Sequence, residues 1–401
     1  MTNSPIAPAT IGLPPAFHFN EVRSLPDLRL KLPVDFPPAL GALTNFTGSW
    51  SGSGFNIIFR PQSTQTPTQL PHPGQGPNDN ILELNLTAES LAFSGSLGSV
   101  PNRGMVQGDI FLNGIPYLQT VSDVTNGAAV GIHVEPGLWM AVPSTTNPHE
   151  PATLVRMASI PHGTTINLQG GSTGPTAGKP TIPALDPTPF FSATRLPQSF
   201  PSQTAANAST FRIPQDLTSF IAAGTITQAM LNDPNSFLRN HIASQTIVET
   251  TTIEVASAPQ IPADAIATPA AGGGADNIAF LTTNADVPVV QAASHSRTLA
   301  GVKATFWIET VEHLIHLPVF QVGQPPLTLQ AEGGGPTFKV QPPKAIPAAT
   351  TITVRSTQIQ YSQVVLLNFN GLTWPHVSVA TLTPADPVSV TPVNWAAVVK
   401  A

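Results

Sequence analysis

Cysteine is absent from this chain of 401 residues. Its absence excludes disulfide bonds, cysteine nucleophiles, thiolate metal sites and thiolate-ligated haem. The ten histidines are therefore the residues to consider first as metal ligands.

Charge and long apolar runs are also scarce. Charged residues make up 9% of the chain, against about a quarter in ordinary globular proteins. The 16 basic and 22 acidic residues include no cluster of Lys or Arg that would follow a phosphate backbone, which argues against nucleic acid as a partner. No uninterrupted apolar run approaches the length of about 18 residues that a membrane span needs. The N-terminal MTNSPIAPATIGLPP has neither a basic start nor an apolar core, so we recognise no signal peptide and expect a cytoplasmic protein.

What the chain does contain favours β-structure. Hydrophobic residues make up 41% of it, including 19 Phe, which is enough to build a core despite 44 Pro. From FTGSWSGSGFNIIF (46–59) to TTINLQG (164–170), short β-branched and aromatic segments alternate with turn residues. The pattern resumes at QTIVETTTIEVAS (245–257) with a period of two. We predict an all-β fold, an antiparallel calycin-like β-barrel with strands from 46–170 and 245–384.

The other segments predict additions to this barrel. Residues 1–45 are Pro-rich and are interpreted as an N-terminal arm, whereas 46–401 form the barrel domain. Residues 171–244 predict an insertion of Pro-rich loop and short helices that packs across the mouth or flank of the barrel. A second, smaller β-module within 258–345 is the main architectural alternative.

Two short helices are expected inside the insertion. PQDLTSFIAAG (214–224) ends on a glycine, as helix C-termini often do. DPNSFLRNHIAS (233–244) begins with Asp233 as the expected N-cap and Pro234 at the first helical position.

Three pieces of sequence, read in chain order, resemble one protein family. GSWSGSG (48–54) is similar to a G-x-W-x-G-x-G opening strand. The segments 116–144 and 152–170 are similar to central strands in which an H-x-E-x-G-x-x-R-P hairpin precedes an apolar strand and a P-x-G turn, with Met140 and Ala141 here in place of Arg-Pro. TQIQYSQVVLLNFNGLTWPHVSVATLTP (357–384) is similar to a last hairpin with a P-H pair at the start of the final strand. These pieces resemble the nitrobindin-type haem proteins, which are small calycin-like β-barrels.

The resemblance implies that haem b binds inside the barrel with His376 as the axial ligand of the iron. A neutral imidazole ligates iron without adding charge, and a strand with a period of two aims it into the lumen. Trp374, His162 and His133 are the other candidate cofactor-binding residues on the matching segments. The implied activity concerns nitric oxide, peroxynitrite or peroxide at the iron, as an isomerase or peroxidase-like enzyme or as a sensor, and no catalytic residue is assigned.

Two other classes of function stay open at this point. The same barrels act as cofactor-free carriers of a fatty acid or another apolar molecule. A structural or interaction module is the third hypothesis, because it suits the low charge and the high proline content. The sequence contains no G-x-S-x-G nucleophile motif and no phosphate-binding glycine loop. We therefore expect a small-molecule ligand as the partner and make no prediction of oligomeric state.

Overall fold

The structure, a computed structural model, describes residues 17, 19, 38–102, 110–146, 149–161, 164–257, 297–298 and 301–390. Strands account for 53% and helices for 10% of it, which confirms the predicted all-β, barrel-like fold. No helix among these residues has the length and apolar character that crossing a membrane would require. Most of the predicted arm and the first part of the predicted β-module (258–296) lie outside the described residues.

Ten long strands form the barrel, and we number them along the chain. They are β1 Gly48–Pro61, β2 Asn80–Phe93, β3 Ile110–Asp123, β4 Val130–Val142, β5 Thr153–Ile160, β6 Thr164–Ser172, β7 Thr246–Ala256, β8 Val302–Leu317, β9 Thr350–Phe369 and β10 Leu372–Pro384. Each strand is antiparallel to the next one in the chain. The ring closes where β10 pairs with β1, from Trp50 opposite Pro384 to Ile57 opposite Val377. This order is that of an up-and-down barrel.

A two-residue turn sets the register of the last hairpin. Asn370 and Gly371 connect β9 to β10 and both have positive φ angles, 51° and 74°. Asn-Gly is the preferred pair for a tight hairpin turn because both central positions need positive φ. Phe369 consequently lies opposite Leu372, and His376 lies opposite Val365.

Small residues allow β1 and β10 to lie close together in the GSWSGSG segment. A Cβ atom at Gly52 would lie 1.9 Å from the backbone oxygen of Thr381. No side chain fits in that space, so glycine is required there by the approach of the neighbouring strand.

Aromatic side chains fill one part of the barrel interior. Phe46, which follows a 3₁₀ turn at Gly41–Asn45, stacks on Phe93 with ring centroids 4.8 Å apart and meets Trp139 edge-on at 5.4 Å. Phe306 of β8 contacts Trp139 at 5.3 Å. We call these four side chains the aromatic plug. The rest of the interior contains a cavity.

The insertion packs its helices on the outside of the barrel. The helices are α1 Thr218–Ala223, α2 Gln228–Asn232 and α3 Asn235–Ile242. Their apolar side chains join one buried cluster with outward-facing residues of β1 and β10, among them Ile57 and Val379. The two predicted helices are thus present with shorter bounds, and α1 ends at a left-handed glycine as expected. Helix α2 was not predicted from the sequence.

The predicted cap of α3 is wrong in one detail. Pro234, rather than Asp233, occupies the N-cap position. Asp233 instead ends α2, and its Oδ1 still accepts the backbone N–H of Asn235 at 3.1 Å. Asp233 therefore still accepts a free N–H from the first turn of α3, but it does so from the position before the N-cap.

A small second sheet lies beside the barrel. It comprises Leu327–Gln330, Thr337–Val340 and Val388–Ser389. Its Phe338 is buried in one cluster with Ile315 of β8 and Ile352 of β9. The remaining short strands and 3₁₀ turns are Val100–Asn102, Thr145–Thr146, His149–Glu150, Thr176–Ala177, Phe190–Phe191, Pro201–Gln203, Arg212–Ile213, Arg297–Thr298 and Glu332–Gly334. Of the predicted β-module, residues 302–317 belong to the barrel as β8.

Glu309 of β8 is a buried carboxyl group on the outward face of the barrel. Its side chain has no exposed surface, Oε2 accepts a hydrogen bond from Gln358 at 2.6 Å, and Oε1 has no partner among the described residues. Burial raises the pKa of Glu309 to about 7, although the bond from Gln358 acts in the opposite direction. Because the pKa of Glu309 in the folded protein lies above the ordinary carboxyl value, ionisation of this group destabilises the fold.

We expect Glu309→Gln to stabilise the protein at pH 8 and to have little effect at pH 4.5. The folded-state pKa lies above the unfolded-state value, so wild-type stability falls as the pH rises from about 4.5 to about 7, by about 3 kcal/mol in total. Chemical denaturation at both pH values measures this difference. The matched control Glu254→Gln changes a carboxylate that is 59% exposed on β7, so its effect on stability should be small. An equal effect of Glu309→Gln at both pH values would contradict the assignment.

Candidate functional site

The barrel contains a cavity of about 370 Å³. This volume lies in the usual range for small-molecule sites. One part of its wall is apolar, formed by Ile58, Val121, Ile132, Ile160, Ile166, Val365 and Leu367. Another part is polar, formed by Asn56, Glu83, Asn85, Gln119, His133, Glu135, Thr164, Tyr361, Gln363, His376 and Ser378.

His376 lies on this wall. The Asn-Gly hairpin places it opposite Val365, and both side chains line the cavity. Burial, with a smaller contribution from His133, lowers the pKa of His376 to about 4, so the imidazole is neutral at pH 7. Neither ring nitrogen forms a hydrogen bond within the described part of the chain. The cavity therefore faces a neutral imidazole that has a lone pair available.

His133 lies on the same cavity wall, on β4. Its Nε2 is 3.2 Å from Oε2 of Glu135. An ionised carboxylate only accepts hydrogen bonds, so Nε2 of His133 carries the proton in this pair. His133 is thus held by a partner of its own, in contrast to His376.

Glu135 is the centre of a buried charged cluster next to the cavity. It is 1% exposed, it accepts a hydrogen bond from the Tyr117 hydroxyl, and it pairs with Arg156 at 2.6 Å. Burial alone would raise the pKa of Glu135, but Arg156 and the hydrogen bonds outweigh it and hold the pKa at about 2. The carboxylate stays ionised at neutral pH.

Arg156 connects this cluster to the aromatic plug. Its guanidinium lies 5.4 Å from the ring centre of Phe306 and 6.0 Å from that of Trp139. It also donates to Tyr117 at 2.9 Å and to Gln363 at 2.7 Å. The opposing charge of Glu135 raises the pKa of Arg156 above its ordinary value despite burial, so the cation is permanent. The side chain of Arg156 is buried inside the barrel.

A second polar cluster surrounds Glu89. The carboxylate accepts hydrogen bonds from Tyr361 at 2.6 Å, from Thr87 at 2.9 Å and from Gln119 at 3.3 Å. Burial raises the pKa of both Glu89 and Tyr361, and for Glu89 it outweighs these hydrogen bonds. Tyr361 and Gln119 line the cavity, so this cluster also contributes to its polar wall.

The other two predicted residues are placed differently. Trp374 does not line the cavity: its indole stacks on Phe369 at 4.5 Å and packs against Phe200 at 5.1 Å and Phe59 at 5.2 Å. His162 lies outside the described residues. The structure therefore brings His376 and His133 to one cavity and leaves Trp374 outside it. Among the described residues, no group of three or more His, Asp or Glu side chains is arranged to hold a metal ion by itself.

Sequence reasoning missed the uncharged polar residues of the wall. Asn56 lies in FNIIF and Asn85 in LELNL, each as a polar residue within an apolar strand. A lone amide in such a strand was the available signal, since a side chain that faces a packed core would be apolar. Comparisons of the chain with protein-family models, with curated proteins and with solved structures give no match.

Proposed function

We propose that the protein binds haem b in the barrel cavity with His376 as the axial ligand. The observation that carries this proposal is the state of His376: a neutral imidazole on a cavity wall, without a partner among the described residues. Histidine in this state is the usual nitrogen ligand of haem iron. The resemblance of the last hairpin to that of the nitrobindin-type proteins supports the same residue.

The side chains around His376 have the apolar character that the face of a porphyrin requires. Val365 lies directly opposite His376, and Ile58 and Leu367 add apolar surface. The two carboxylates on the wall are already paired, Glu135 with Arg156 and Glu83 with Arg60. The cavity thus combines an apolar surface, a nitrogen ligand and little net charge. When bound, haem supplies an iron centre for the chemistry of nitric oxide, peroxynitrite or peroxide that the resemblance implies.

The carrier of a free fatty acid receives less support. Burying the carboxylate of such a guest is costly unless a cation pairs with it. Arg156 is the buried cation nearest to the cavity among the described residues, and Glu135 already neutralises it. A fatty acid bound with its carboxylate in the cavity would therefore bring an uncompensated charge next to an ionised glutamate, and haem b would meet the same cost unless both of its propionates stay in water.

Titration of the purified protein with haemin tests the proposal. We expect a Soret band characteristic of histidine-ligated haem that saturates at one haem per chain. A parallel titration with a fluorescent fatty acid should show no saturable binding. Saturable fatty-acid binding without a haem complex would reject the proposal in favour of the carrier.

A further inference from the structure

Four uncharged polar side chains form a continuous row across four neighbouring strands. Gln363 of β9 lies opposite Ser378 of β10, Ser378 lies opposite Asn56 of β1, and Asn56 lies opposite Asn85 of β2. Directly opposite residues in antiparallel strands project to the same face, and all four line the cavity. We call these three amides and one serine the amide row. Since Ser378 is two residues from His376, the row runs about 7 Å from His376 along the strand.

Most of the amide row has no hydrogen-bond partner among the described residues. Asn56 is 8% exposed, and its Oδ1 is buried without a hydrogen bond among the described residues. The side chains of Asn85, which is 5% exposed, and Ser378 likewise make none there. Gln363 accepts from Arg156 and keeps its own NH₂ group to donate. A buried amide without a partner costs about 1–3 kcal/mol, so the open donors and acceptors of the row must be completed by water or by a ligand that enters the cavity.

The charges around the row select the kind of ligand. The wall carries Glu135, ionised and paired with Arg156, and Glu83, which is paired with Arg60 at 2.8 Å. No unpaired Arg or Lys lines the cavity among the described residues. An anion would lose its hydration without gaining a cation, whereas an uncharged molecule that donates and accepts hydrogen bonds would satisfy the amides.

We propose that the amide row is the binding subsite for a small, uncharged molecule that both donates and accepts hydrogen bonds. Hydrogen peroxide and short alkyl hydroperoxides belong to this class, whereas nitrite, which is an anion, does not. The inference deepens the proposed function, because it names the substrate class that the site admits beside His376. It requires the cavity to bind ligands but does not require haem.

The experiment uses formamide and nitrite as probes of similar size on the haem-free, ¹⁵N-labelled full-length protein. Formamide is uncharged and both donates and accepts hydrogen bonds, while nitrite is an anion that only accepts. We expect formamide to shift the side-chain amide NMR signals of Asn56, Asn85 and Gln363 saturably, and nitrite to leave them in place. The double variant Asn56→Ala/Asn85→Ala should bind formamide about tenfold more weakly, which corresponds to the loss of one or two net hydrogen bonds.

Asn167→Ala is the matched control. Asn167 also has a buried Oδ1 without a partner among the described residues and lies on a barrel strand, β6, but it does not line the cavity. Its replacement should leave formamide binding unchanged. Equal binding of formamide by the double variant, or stronger binding of nitrite than of formamide, would overturn the inference. Haemin binding is measured separately. If haemin does not bind but formamide still shifts the amide signals, the haem proposal fails and the proposed subsite stands.

Discussion

His376→Ala is expected to abolish haem binding while leaving the barrel folded. The substitution removes the only protein–iron bond in the proposed complex, so the Soret band should be lost at haemin concentrations that saturate the wild type. The imidazole forms no hydrogen bond with the described residues, so its removal breaks no buried pair. Absorbance titration measures the loss of haem, and circular dichroism measures the thermal midpoint of the haem-free protein, which should change little.

His133→Ala is the matched control for this prediction. It removes the other histidine of the cavity wall by the same substitution, but His133 is held by Glu135 rather than free. We expect His133→Ala to retain a haem complex. Imidazole added to His376→Ala should restore part of the Soret band, because the substitution leaves space for it. Retention of haem with an unchanged spectrum in His376→Ala, or its loss in His133→Ala alone, would move the ligand away from His376.

The second large effect is expected on the free energy of unfolding when Arg156 is replaced. Arg156→Met leaves the carboxylate of Glu135 buried without its cation, and breaking one partner of a buried ion pair costs about 3–5 kcal/mol. Denaturation at pH 7 should show this loss in the free energy of unfolding. Arg156→Met/Glu135→Gln should recover a large part of it, because the buried charge is then gone.

The stabilisation that the pair of Glu135 and Arg156 provides depends on pH. The folded-state pKa of Glu135 lies near 2, below the ordinary carboxyl value, so its stabilisation is complete above about pH 4.5 and is lost as the pH falls toward 2. The difference between wild type and Arg156→Met should therefore be smaller at pH 3.5 than at pH 7. Arg60→Met, which breaks the partly exposed pair with Glu83, should cost no more than about 1 kcal/mol. A loss of similar size in both variants would contradict the buried role of Arg156.

Local patterns were sufficient to predict much of the barrel. The alternation in 245–257 predicted β7, and its Ile253 and Val255 are buried as expected. The turn of the last hairpin depends on the conformations of Asn370 and Gly371 alone. The pairing of β6 with β7 was beyond local reasoning, because residues 173–245 lie between the two strands and no short-range signal fixes the register.

The site was predictable only in part for the same physical reason. His376 could be named because a short motif carries it, and the period of the strand aims it inward. The amide row depends on the register of four strands, and a shift of one residue would turn each of its side chains to the other face. Arg156 in TLVRMAS looks like any polar residue of a strand. Its burial follows from the contact with Glu135, which only the folded barrel brings about.

The central claim is a bond between haem iron and His376 inside the barrel. X-ray diffraction from crystals of the haemin-treated protein, recorded above and below the iron absorption edge, locates the iron directly. We expect one strong anomalous peak within bonding distance of a ring nitrogen of His376, with the porphyrin against Val365 and Leu367. An iron peak at another residue, or haem bound on the outer surface of the barrel, would contradict it.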